Sequence, residues 1–127
     1  MAINRITEQV IGAAIEVHRQ LGPGLLESTY EECLAREFAL RHISFERQKA
    51  VALTYKGATV DVGFRLDFVV AGEVIVELKA VEALQPIHEA QVLTYLKLTG
   101  MGVALVVNFN VQVLRNGIRR VVLNLQE

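Results

Sequence analysis

The chain has 127 residues, 52% of them hydrophobic, with 13 basic against 14 acidic side chains for a formal net charge of −1. Such a length fits one domain, residues 1–127, better than two, and the apolar share can fill a sizeable core with some apolar surface left for a partner subunit. The charge balance does not show the basic patch usual in nucleic-acid binding, so any such contact rests on a local patch or on a metal at the site. No apolar run reaches the roughly 18 residues of a membrane span. The first ten residues include polar side chains where a signal peptide needs an apolar core. The expected location is therefore cytoplasmic.

Residues 4–21 read as a helix, because Ile3, Ile6, Val10, Ala13, Ala14, Val17 and Leu21 share one face at a 3.6-residue period. Gly22, Pro23 and Gly24 end it. A second helix is expected over residues 25–42. Its apolar stripe holds Leu26, Tyr30, Cys33, Leu34, Phe38 and Leu40. Cys33, the single cysteine, excludes an internal disulfide and reads as a buried, inert thiol. Three strands follow, within residues 44–55, 59–70 and 74–80, separated by the turns "YKGA" and "AGE". Pro86 precedes a third helix over residues 87–99, which Gly100 and Gly102 stop. "GVALVVNF" has the near-continuous apolar pattern of a central strand. In "VQVLRNGIRRVVLNL", Asn116-Gly117 lies between two β-rich runs and signals a C-terminal hairpin. The order ααβββαβββ predicts a mixed sheet with helices packed on it, in the α/β or α+β class.

Several polar residues fall where apolar ones are expected. Glu27 lies within the stripe of the second helix. In the first turn it answers the helix dipole, worth roughly 0.3–1 kcal/mol, yet a dipole partner has no need to face a core. A buried carboxylate needs a cation, a strong donor or a cleft beside it, so both a dipole role and a site role stay open. Glu37 also falls in the stripe, but near the helix end, where it can reach water. On the first helix Glu16 reads as solvated and His18 as a structural histidine with a satisfied ring.

The strand pair carries more information. In "GFRLDFVV", Phe64, Leu66, Phe68 and Val70 take one face and Arg65, Asp67 and Val69 the other. In "VIVELKA", Ile75, Glu77 and Lys79 share a face. A three-residue loop at Ala71, Gly72 and Glu73 sets Val70 against Val74, which brings Asp67 opposite Glu77 and Arg65 opposite Lys79. Opposed Cβ atoms stand about 4.5–5.5 Å apart, where two carboxylates repel. Either a salt-linked cluster with Arg65 and Lys79 accounts for the pair, or a divalent cation does. Mg²⁺ commonly uses one or two carboxylates plus waters. Lys79 would then orient a water, help take its proton or stabilise a phosphate's developing charge. On the third helix His88, Gln91 and Tyr95 share a face with Ile87 and Leu98 that is expected to pack inward.

"D…ELK" (Asp67, Glu77, Leu78, Lys79) on a strand pair followed by a helix resembles the PD-(D/E)XK nuclease superfamily. "QVLTY", from Gln91 to Tyr95, is similar to the QxxxY element of RecB-like members. "GLLESTY" matches the GxxExxY signature, and "VHRQLGPGLLESTY", "RLDFVV", "VELKAVEAL", "IHEAQVLTYLKLTG" and "VVNFNV" look like the bacterial GxxExxY protein family, from about Ile3 to Leu125. The resemblance implies a restriction-endonuclease-like αβββαβ core, here with an extra N-terminal helix and a C-terminal β-hairpin, and Mg²⁺-dependent (or Mn²⁺-dependent) phosphodiester hydrolysis. Carried over by position, Asp67, Glu77 and the Leu78 carbonyl would hold the metal, with Glu27 as a further acidic ligand. Lys79 would be the catalytic lysine, and Gln91 and Tyr95 would shape the site or contact substrate. Leu66 stands where the superfamily has proline, a departure that touches no ligand. The expectation is a metal-dependent nuclease acting on nucleic acid, with DNA as the first substrate to test. Its rival is an inactive nuclease-like module that binds nucleic acid or a protein partner. A homodimer would give so small a domain more surface for gripping a duplex.

Overall fold

The computed structural model describes residues 2–123, without the side chain of Val62. Asn124 and Leu125, expected at the end of the last strand, lie outside the described residues. Among the described residues the elements are α1 (Ile3–Leu21), α2 (Glu27–Leu40), β1 (Phe45–Tyr55), β2 (Ala58–Val70), β3 (Val74–Lys79), α3 (Pro86–Thr99), β4 (Val103–Asn108), a 3₁₀ turn (Leu114–Gly117) and β5 (Ile118–Val122). The strands form one sheet in the order β1-β2-β3-β4-β5. β3 and β4 are parallel and the other neighbouring pairs antiparallel. The stretch from α2 to β4 is the αβββαβ core. Among the described residues no helix is long and apolar enough to cross a membrane.

The sheet has an apolar layer on each face. Ile6, Val10, Ala13, Ala14 and Val17 of α1 and Tyr30, Leu34 and Phe38 of α2 pack on Phe68, Val70, Val74, Val76, Leu78, Leu105 and Val107. Val92 and Leu96 of α3 pack with Leu66, Val69, Ile75, Ala104 and Val106. β3 from Val74 to Leu78 is buried throughout, as a strand covered on both faces must be.

Three expectations need correction. α2 begins at Glu27, with Leu26 extended at its N-cap. Leu26 therefore falls outside the helical period and is 73% exposed, and Leu40 at the far end is also exposed. In β2, Phe64 and Leu66 join the layer under α3, whereas Phe68 and Val70 join the layer under α1 and α2. The expected single face is thus divided at Asp67. Finally, the run before Asn116 forms no strand. The hairpin arms are β4 and β5, paired from Val103–Val122 to Val107–Ile118. Gly117 serves close approach, since a Cβ there would collide with the Asn108 carbonyl oxygen.

Candidate active site

The "GLLESTY" segment places a carboxylate by packing its tyrosine. The Tyr30 ring stacks on Phe109 with centroids 4.5 Å apart. Its hydroxyl donates to the Gly22 carbonyl at 2.6 Å and accepts from the Leu25 N–H at 3.1 Å. Gly24 supplies a φ of +97°, which a side chain would strain. The loop is thereby tied to the core through Tyr30, and Glu27 starts the helix at a fixed place. Contrary to the stripe reading, Glu27 is exposed as a residue. Its carboxyl is nonetheless pushed upward by partial desolvation, with Lys79 opposing the rise and Asp67 and Glu31 adding to it. A group that responds to all three lies at the rim of their cluster.

Asp67 and Glu77 form the centre. Val70 pairs with Val74, Val69 with Ile75 and Phe68 with Val76, the register expected from the three-residue loop. At the next position the ladder gives way to side chains. The Asp67 N–H donates to Glu77 Oε2 at 3.0 Å, and the Leu78 N–H donates to Asp67 Oδ2 at 2.9 Å. Each carboxylate has moved into the seam and taken a backbone donor from the facing strand. Glu77 is 6% exposed. Burial raises its pKa to about 8, and the neighbouring Asp67 charge adds to the rise. Burial also raises Asp67, against the pull of the Leu78 N–H. The described ion pairs join neither carboxylate to Arg65 or Lys79. A salt-linked structural cluster therefore lacks its links among the described residues.

Lys79 ends β3 on the face of Glu77. Its carbonyl accepts from the Phe109 N–H at 3.0 Å. Just beyond, Asn108 accepts from the Val81 N–H at 3.0 Å and donates to the Val81 carbonyl at 2.9 Å. These bonds fix the chain at the lysine and just beyond it.

On α3, Val92, Leu96 and half-buried Tyr95 face the sheet. Gln91 lies about 100° around the helix from Val92 and is exposed, as are Ile87 and Leu98, so their expected inward face is corrected. Tyr95 stacks on Phe64 at 4.6 Å, and its pKa is raised by burial and by the charges of Glu77 and Asp67. His88 closes the helix start, accepting the Gln85 N–H on Nδ1 at 2.9 Å. His18 bonds the Val111 carbonyl at 2.7 Å, a structural role. Glu16 pairs with Arg19, and Glu37 with Arg41, both at the surface. Cys33 is half-buried rather than enclosed.

Two residues of the site carry no motif. Glu31 accepts from Arg47 Nε at 2.7 Å and from Gln48 Nε2 at 2.9 Å. Gln48 Nε2 also stands 3.4 Å from Asp67 Oδ1. In the sequence Glu31 is one of several acidic residues of the second helix, with no pattern that marks it. Gln48 had no signal at all.

The donor set fits a hard divalent cation. Asp67 keeps Oδ1 and Glu77 keeps Oε1 after their backbone bonds. Along a strand a residue's N–H and C=O face the same edge, so the Leu78 carbonyl looks into the same seam. Among the described residues no three His, Cys, Asp or Glu side chains are gathered to hold a metal. Two carboxylates, a carbonyl and waters nevertheless match the usual Mg²⁺ set. A groove lined by His18, Arg19, Pro23 and Arg115 contains none of these carboxylates, so the open strand pair is the better candidate.

Neither a search of curated proteins nor one of solved structures returned a match. The sequence matches the family model described as PD-(D/E)XK nuclease superfamily over residues 4–121, nearly its whole length. With that match spanning the strand pair and both helices that border it, the chain belongs to the PD-(D/E)XK nuclease superfamily.

Proposed function

We propose that the chain is a divalent-cation-dependent nuclease that hydrolyses phosphodiester bonds, with DNA as its substrate. The observation that carries this reading is the paired, desolvated Asp67 and Glu77 at the open end of the β2–β3 ladder. Asp67 Oδ1, Glu77 Oε1 and the Leu78 carbonyl would hold Mg²⁺ or Mn²⁺, with Glu27 at the rim. When bound, such an ion supplies Lewis-acid chemistry for phosphoryl transfer. Lys79, on the same face as Glu77, holds its ammonium toward the scissile phosphate and offsets the charge developing on it. Gln91 offers an exposed amide to the nucleic-acid backbone. Tyr95, held against Phe64, walls the site. A second copy of the chain would extend the gripping surface.

One observation favours an inactive binding module instead: no third carboxylate is gathered with the pair among the described residues. A cleavage screen with Mg²⁺ and Mn²⁺ on single- and double-stranded DNA and RNA separates the two, with Asp67→Ala as control. Metal-dependent cleavage that Asp67→Ala abolishes supports the nuclease. Binding without cleavage of any substrate supports the module.

A further inference from the structure

Gln48 adopts a φ of +51° within β1. Few residues other than glycine, asparagine and aspartate enter this left-handed region, and doing so inside a strand requires compensation. The ladder shows the break: Arg47 pairs with Phe68 and Lys49 with Leu66, but no pair forms between Gln48 and Asp67, which face each other in that register. The compensation lies in what the residue touches. Its side-chain amide donates to Glu31 Oε1 at 2.9 Å and reaches Asp67 Oδ1 at 3.4 Å. Its carbonyl accepts from Arg65 Nη1 at 3.2 Å. Asp67 Oδ1 is the oxygen left over once Oδ2 has taken the Leu78 N–H.

We propose that Gln48 is a positioning residue of the site: its left-handed backbone aims one amide at Asp67 and Glu31 and holds Arg65 through its carbonyl. Two carboxylates facing each other repel, and an NH₂ group with two protons can donate one to each. The amide thus keeps Asp67 turned toward Leu78 while its other oxygen stays at the mouth of the seam. Arg65, though exposed, is held in place by the Gln48 carbonyl. This role rests on the proposed site but not on a metal being bound.

The test is amide hydrogen exchange at Leu78 in the metal-free protein, with the Leu105 amide as internal reference. Gln48→Gly removes the side chain and relieves the backbone. Gln48→Glu keeps the length and replaces the donor by an acceptor. Exchange at Leu78 at least fivefold faster in both variants, with Leu105 unchanged, is the expected result. Unchanged exchange in both variants overturns the proposal. Unchanged exchange in Gln48→Glu alone also overturns it, since Gln48 would then act through shape and not through donation. A parallel Mn²⁺ titration of the wild-type protein keeps the two readings separate: failure to bind Mn²⁺ counts against the nuclease site and leaves the exchange result standing.

Discussion

β3 has two very different edges. Along one it pairs with β4 at every position from Val74–Val103 to Lys79–Asn108. Along the other it pairs with β2 only from Val70–Val74 to Phe68–Val76, and then side chains replace the ladder. The closed edge is held by an unbroken ladder of backbone bonds, most of them between buried apolar residues. The open edge gathers two carboxylates that repel and keeps one of them protonated near neutral pH. A sheet that can be completed on one side has left the other unfinished where charge can be concentrated.

The largest effect is expected where the open edge meets chemistry. Under the proposed function, Lys79→Ala lowers cleavage by about 10²–10⁴-fold, the range for a positioned acid–base or charge-stabilising group, with the urea midpoint unchanged. Cleavage at the wild-type rate would remove Lys79 from the reaction. On the closed edge Leu105 is fully buried, and Leu105→Ala should cost about 2–5 kcal/mol by urea denaturation.

The pH response separates the edges again. Folding raises the Glu77 pKa from 4.5 to about 8, so the folded state binds this proton more tightly than the unfolded chain does. Its contribution to stability is complete below pH 4.5 and is lost as pH rises through about 8. Metal-free protein should therefore be less stable at pH 8.5 than at pH 5, by on the order of 3 kcal/mol. Glu77→Gln should flatten that slope, and an unchanged slope would assign it to other groups. The smallest effect concerns the loop that places Glu27. Tyr30→Phe keeps the stack on Phe109 but loses the hydroxyl bonds to Gly22 and Leu25. A loss of about 1 kcal/mol in thermal unfolding is expected.

The closed edge was legible in the sequence because it follows from periodicity. "GVALVVNF" and "VIVELK" are apolar enough to be covered on both faces, and the turn "AGE" fixed the register that sets Asp67 against Glu77. The carboxylate pair follows from that register, although the alternation of β2 breaks at Asp67 itself. The misses share a different cause. Leu26 fits the helical period of α2, but period alone does not say where a helix starts, and its extended backbone turns it to solvent. Gln91 shares a helix face with Tyr95, but the buried stripe of α3 centres on Val92 and Leu96. Asn116-Gly117 resembled a hairpin turn, but Gly117 is needed for close approach to Asn108. Gln48 lay beyond reach because a left-handed glutamine in a strand is set by its tertiary partners, Glu31, Asp67 and Arg65, which no local pattern records.

Under the proposed function, the open edge of β3 holds a divalent cation between Asp67 and Glu77. A crystal soaked in Mn²⁺ and read by anomalous scattering tests it directly. The expected result is a single strong peak within coordination distance of Asp67 Oδ1, a Glu77 oxygen and the Leu78 carbonyl. A map with no peak there, in which both carboxylates keep their bonds to the facing backbone, would contradict it.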